Sequence, residues 1–154
     1  MVEDTYSAFI RKIEFGGLRA QSASYSADDD VFVAVAEECE LRKKLEFTVK
    51  DITHDIEDEA LSAKVCWQVG VKKSKKILFR VKAEYQIVFF NVGAETTEEH
   101  IENFCATTIK ATTFPYFRQF FNQACTDASV RLPPLPMLKI MPKIGMPVIS
   151  DNET

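Results

Sequence analysis

Four cysteines, Cys39, Cys66, Cys105 and Cys125, and two histidines, His54 and His100, are the first places to look for chemistry in this 154-residue chain. The cysteines form no C-x-x-C pair, and two distant histidines complete no local zinc-type ligand set, so no metal site is expected. His54-Asp55 sets an imidazole beside a carboxylate. A general base also needs a nucleophile within hydrogen-bond reach, which adjacency does not supply. The chain has no G-x-S-x-G elbow, no phosphate-cradling G-x-x-x-x-G-K and no H-E-x-x-H, and Gly16-Gly17 belongs to no G-x-G-x-x-G. Neither catalysis nor a cofactor is expected.

Apolar recognition is the chemistry the sequence does concentrate. In Phe114 to Ile140, FPYFRQFFNQACTDASVRLPPLPMLKI, five aromatic residues fall within eight positions: Phe114, Tyr116, Phe117, Phe120 and Phe121. Phe114, Phe117, Phe121, Ala124, Cys125 and Ala128 recur at helical spacing and predict one apolar helix face. Tyr116 and Phe120 widen that face beyond a single seam. Pro133, Pro134, Pro136 and Pro142 then forbid another regular helix and hold Leu132, Leu135, Met137 and Leu138 extended. An aromatic helix beside an extended apolar segment suits a core, an oligomer interface or a groove for extended ligands.

The elements that must position this helix lie upstream. Leu61, Ala63, Val65, Trp67, Val69 and Val71 alternate with Ser62, Lys64, Cys66 and Gln68, which is a strand with one buried and one wet face. Cys66 on the wet face reads as an inert thiol or a partner contact. Ile77, Phe79, Val81, Ala83, Tyr85, Ile87 and Phe89 repeat the period, with Lys72 to Lys76 as the hairpin turn. Leu45, Phe47 and Val49 alternate before the apolar side shifts to Ile52 and Ile56, which predicts a bulge near Lys50-Asp51. Residues 8–25, with Phe9, Ile13, Phe15 and Leu18 around Gly16-Gly17, read as a bent strand. Residues 26–44 are too long for a hairpin and are expected to cross the sheet. Thr96 and Glu99 form a capping box that opens a helix to about Lys110, with His100 solvated in its first turn. Pro115 predicts a kink or restart near residues 111–113. Strands followed by helices give an α+β domain: a four-stranded antiparallel sheet covered on one face by a long kinked helix.

Composition bounds the function. One domain spanning residues 1–154 is expected, its core at about 8–140 and a flexible tail over 141–154. Hydrophobic residues make up 46% of the chain, enough for a substantial core. A net charge of −4 argues against a dedicated nucleic-acid binder. The N-terminal stretch lacks the apolar run of a signal peptide, and no segment could span a bilayer, so a reduced, cytoplasmic protein is expected. Lys72, Lys73, Lys75 and Lys76 form a basic cluster; Asp55, Glu57, Asp58 and Glu59 form an acidic one. Both read as solvated turns.

Phe114-Pro115-Tyr116 with Arg118, then a helix, then Arg131-Leu132-Pro133-Pro134-Leu135, resembles the export-chaperone SecB family. The similarity is strongest to its SecB-like branch, some members of which accompany toxin–antitoxin pairs. Phe79 to Phe89 is similar to the family's last strand. The resemblance implies an ATP-independent holdase that assembles as a homotetramer, a dimer of dimers. Its clients would be unfolded or nascent polypeptides, an antitoxin among them. It also implies a client groove walled by Phe117 and Phe121, by the crossover residues Phe32, Val33 and Val35, and by Leu132, Leu135 and Met137. Phe79, Val81 and Tyr85, on a strand expected at a sheet edge, would join chains. Arg80 and Lys82 fall where the export-type family presents acidic residues to the SecA ATPase, so docking to SecA is expected to be weak. After Leu135 there is little room for the C-terminal helix that lids the export-type groove. The competing expectation is a small-molecule carrier with an apolar cavity between sheet and helix.

Overall fold

The computed structural model describes residues 5–136 and the backbone of Lys139–Lys143 and Met146–Ser150. Its elements run α1 (Thr5–Lys12), β1 (Glu14–Ala27), α2 (Asp30–Ala36), β2 (Arg42–Asp55), β3 (Ala60–Lys73) and β4 (Lys76–Phe90). The helical part follows as α3 (Glu98–Phe104), a π-helical turn (Cys105–Ile109) and α4 (Lys110–Asp127). The chain closes with β5 (Lys139–Lys143) and β6 (Met146–Ser150). β1 to β4 form one antiparallel sheet in the order β1-β4-β3-β2. The α+β architecture expected from the sequence, a four-stranded antiparallel sheet under a long helix, is the one observed.

Alternation decides which way each strand faces. Leu61, Ala63, Val65, Trp67, Val69 and Val71 of β3, and Phe79, Val81, Ala83, Tyr85, Ile87 and Phe89 of β4, are all buried. They pair side by side across the strands, so both sets share the inner face. The helix lays Phe104, Ile109, Phe114, Phe117, Phe121, Ala124 and Cys125 onto them. Trp67 stacks on Phe117 at 5.9 Å and tilts against Phe114 at 5.1 Å, while Phe79 meets Phe121 at 6.5 Å. The Trp67 indole N–H donates to Thr113 Oγ1 at 2.8 Å, which satisfies its polar edge inside the core. Each such large side chain removed from water stabilises by roughly 1.5–3 kcal/mol.

The turns follow the sequence closely. The β2–β3 register slips between Lys50 and Thr53, with Asp51 at φ 51°, which places the expected bulge and returns Ile52 to the apolar side. Asp55 Oδ1 accepts from the amides of Glu57 and Asp58 to close the next turn. Ser74, at φ 56°, takes the left-handed position that a glycine would normally hold in the β3–β4 hairpin.

Several expectations are corrected. Residues 8–25 are not one bent strand: Tyr6, Phe9, Ile10 and Ile13 recur at helical spacing, and α1 occupies Thr5–Lys12 before β1 begins. The bend falls where expected, as a register slip between Phe15 and Gly17. The α3 cap is Thr97, whose Oγ1 accepts from the His100 amide at 3.2 Å, one residue beyond Thr96. His100 is not solvated; its ring stacks on Phe9 at 5.9 Å. No break occurs at residues 111–113. Pro115 sits exposed inside α4, and the irregularity is the π turn at Cys105–Ile109. Widening one turn to an i→i+5 pattern keeps Phe104 and Ile109, five residues apart, on the same buried side. Towards the C-terminal end β5 and β6 pair antiparallel with Pro142 opposite Pro147. Proline is tolerated there because both strands of a two-stranded ribbon are edges. Among the described residues no helix is long and apolar enough to cross a membrane, and no cluster of metal-ligating side chains occurs.

Candidate functional site

The helix covers only part of the sheet. It packs over β3 and β4, leaving the inner face of the edge strand β2 open. Leu45, Phe47 and Val49 lie on that face, opposite Val69, Trp67 and Val65, and all three are only partly buried. Beyond the bulge the line continues into Ile52, 43% exposed. Four apolar residues thus run along a free strand edge whose outward backbone groups have no strand partner in the sheet.

Side chains frame this strip. Lys110, on the helix, holds its ammonium 5.8 Å from the Phe47 ring centroid. Lys43 ends the strip on the inner face, where its Nζ donates to the Pro133 carbonyl at 2.8 Å. Burial lowers the pKa of Lys43, partly offset by the neighbouring Cys125. At the far end His54 Nε2 is 2.9 Å from the Val92 carbonyl, tying β2 to the segment after β4. The strip is an open apolar track with one cation at an end and another overhead.

The proline-rich segment forms part of the frame. Arg118 Nε donates to the Leu135 carbonyl at 2.7 Å, so the two halves of the F-P-Y-x-R and R-L-P-P-L pattern meet in space. That bond, with Lys43–Pro133, straps residues 130–136 across the sheet edge and buries Val130 and Leu135.

The expected groove residues fall into three groups. Phe32 and Val33, at 42% and 54% exposure on α2, are open, and Val35 is half-buried. Val31 and Ala34 anchor α2 instead, and Lys76 bridges its approach through Asp28 at 3.4 Å and Asp30 at 2.8 Å. Phe117, Phe121 and Leu135 are core side chains, at most 2% exposed, and Leu132 is half-buried. The aromatic face is wide because it seats on aromatic residues of β3 and β4. Met137 lies outside the described residues.

The edge placement of β4 is also corrected. β4 is central, and Phe79, Val81 and Tyr85 point into the core beneath the helix, where no second chain can reach them. Burial raises the Tyr85 pKa to about 12. Arg80 and Lys82 lie on the opposite face, exposed. Sequence reasoning missed Leu45, Phe47, Val49 and Ile52 as site residues. Their alternation was visible; that the helix leaves them only partly covered was not.

The space between sheet and helix holds Trp67, Phe79, Phe104, Phe114, Phe117 and Phe121, none more than 4% exposed. Among the described residues, two surface clefts lie elsewhere. One, of about 470 Å³, is bordered by Phe9, Lys12, Glu95, Glu99 and His100; the other, about 290 Å³, by Asp28, Leu78 and Arg80. Neither is an apolar cavity under the helix.

No protein-family model matches this chain, and no curated protein matches it. A solved structure does: the Mycobacterium tuberculosis Rv1957 SecB-like chaperone in complex with a ChAD peptide from the Rv1956 HigA1 antitoxin. The superposition has a TM-score of 0.66 at 18% identity and covers 91% of this chain and 99% of that one. The chain has the SecB-like fold. A protein of unknown function from Streptococcus agalactiae is more distant, at a TM-score of 0.43 and 13% identity over 81% of this chain and 95% of that one. In this chain the open β2 strip, the strapped proline-rich segment and α2 all lie on the helix-bearing side of the sheet, opposite the face of Arg80 and Lys82.

Proposed function

We propose that this protein is a SecB-like chaperone that holds unfolded or nascent polypeptides in extended form, without ATP or bond-breaking chemistry. One observation carries the reading: an uncovered apolar track along a free strand edge. An extended chain presents alternate side chains at the strand period and offers its backbone to an unpaired edge, which is the complement of Leu45, Phe47, Val49 and Ile52. Several shallow apolar contacts give affinity without sequence specificity. Binding to the unfolded state then withdraws clients from aggregation by mass action. The bound antitoxin peptide of the Mycobacterium tuberculosis neighbour supports a polypeptide client, and a dedicated antitoxin is the specific client we propose. A cytoplasmic homotetramer completes the reading. Because Phe79, Val81 and Tyr85 are internal, contacts between chains are assigned to the other free edge, β1, where Phe15 and Tyr25 are 54% and 40% exposed. Docking to SecA is proposed to be weak, since Arg80 and Lys82 oppose a partner built for acid.

The test is light scattering of a heat-aggregating client with and without the protein. Wild type should suppress scattering, and Phe47→Ser with Val49→Ser should lose most of that suppression while retaining the native circular dichroism spectrum. Equal suppression by both proteins would remove β2 from the site. No suppression by wild type would end the chaperone reading.

A further inference from the structure

The outer face of the sheet carries a charge that the chain as a whole does not. Its side chains follow from the pairing register. Arg42, Lys44 and Lys50 of β2, Lys64 and Lys72 of β3, Arg80 and Lys82 of β4, and Arg19 of β1 all lie on it. Against these eight cations stand five carboxylates, Glu14, Glu46, Asp51, Asp55 and Glu84. A chain of net charge −4 therefore presents a positive face.

The positive charge is densest towards the β3–β4 hairpin. There Arg42, Lys44, Lys72, Arg80 and Lys82 share the face with Glu46, which Lys44 engages at 3.4 Å. Lys82 reaches Glu84 only at 3.9 Å. Among the described residues no ion pair engages Arg42, Lys72 or Arg80. In the middle lies Gly70, paired with Lys44 on one side and Arg80 on the other. Gly70 is buried below its neighbours, yet a Cβ built on it would meet no atom within 4 Å. A pit one side chain deep therefore separates two cations that stand roughly 10 Å apart across three strands.

We propose that this face docks an acidic polypeptide segment, with one carboxylate seated in the Gly70 pit between Lys44 and Arg80. A carboxylate there would make charge-assisted hydrogen bonds to both cations while meeting no side chain from below. The spacing favours polypeptide over nucleic acid. Glu46 and Glu84 are interleaved with the cations, which opposes a continuous phosphate backbone but leaves gaps for separate carboxylates. The basic end also carries no aromatic side chain on which a base could stack. The proposal is independent of client capture, because β2 presents its apolar strip on the opposite face.

The experiment is fluorescence anisotropy at low salt with a labelled peptide of alternating glutamate and serine, with unlabelled oligothymidylate as competitor. Wild type should bind the peptide, and added salt should weaken binding. Gly70→Glu fills the pit with an internal carboxylate and should weaken binding about tenfold or more. Lys44→Gln with Arg80→Gln should do the same; it tests the pit by itself if Gly70→Glu perturbs the strand. Lys12→Gln with Lys75→Gln makes the same charge change elsewhere and should alter affinity less than about twofold. No binding by wild type, or equal loss in the control variant, overturns the proposal. Displacement of the peptide by oligothymidylate at lower concentration than by the unlabelled peptide also overturns it, and assigns the face to nucleic acid.

Discussion

β2 and β3 carry the same period-two pattern and lie side by side, yet one becomes core and the other stays open. Trp67 on β3 is fully buried, sandwiched by Phe47 and Phe117 with its N–H bonded to Thr113. Phe47, its cross-strand partner, is only half-buried, with Trp67 on one side and the Lys110 ammonium 5.8 Å from its ring centroid. The difference comes from the helix, whose axis follows β3 and β4. An alternating apolar strand states that one face avoids water; what covers that face depends on the layer above.

The contrast can be broken at its strongest point first. Phe117→Ala removes a fully buried ring from the β3 side and should cost about 3–5 kcal/mol in urea unfolding, with client capture following only the loss of fold. If Phe117→Ala instead abolished capture at unchanged stability, the helix would line the site after all. Next in size is the alkaline limb of the stability curve. Tyr85 and Cys105 are both buried, which raises their pKa values to about 12 and about 11. The folded state therefore keeps these protons above the pH at which the unfolded chain releases them. Their contribution is intact below about pH 9 and is lost as pH rises to about 12. Tyr85→Phe should flatten the upper part of that decline, and an unchanged pH profile would contradict the burial assigned to β4.

On the β2 side, Val49→Ser should cost about 1 kcal/mol of stability, because the site is only half-buried, while weakening client capture several-fold. Comparable losses in both would make β2 ordinary core. Phe32→Ser, on the exposed side of α2, should change stability by less than about 0.5 kcal/mol. A clear loss of capture in that variant would extend the site from β2 to α2.

What could be read in the sequence was whatever one strand or one turn decides by itself. The alternation of Leu61 to Val71, the bulge at Lys50-Asp51 and the Asp55 turn needed no knowledge of neighbours. Strand order did need it: nothing in Phe79, Val81 and Tyr85 tells a central strand from an edge, so β4 was expected at an interface it cannot reach. Phe117 and Phe121 misled for the same reason, since a wide apolar helix face fits an aromatic sheet as well as a groove. Thr96 and Thr97 are adjacent and chemically equal as caps, and only the backbone geometry at Thr97 separates them. Phe9 and Ile13 were read at the wrong period because α1 is two turns long and runs directly into a strand. The R-L-P-P-L pattern was informative before its purpose was visible, and Arg118 supplies that purpose by holding the Leu135 carbonyl.

The π turn at Cys105–Ile109 works as a phase shim between two helices that each have a fixed seat. α3 is anchored through Phe104 against Phe89, and α4 through Phe117 against Trp67. Wound as a regular α-helix with the same number of residues, the stretch would instead rotate α4 by roughly 100° relative to α3. The ring positions of Phe114, Phe117 and Phe121 would then pass to Thr113, Tyr116 and Phe120. One helix or the other would have to leave the sheet. The widened turn therefore holds the one residue that regular winding could not absorb between these seats: a single deletion that restored a regular helix would keep both, whereas an added residue would put them out of phase.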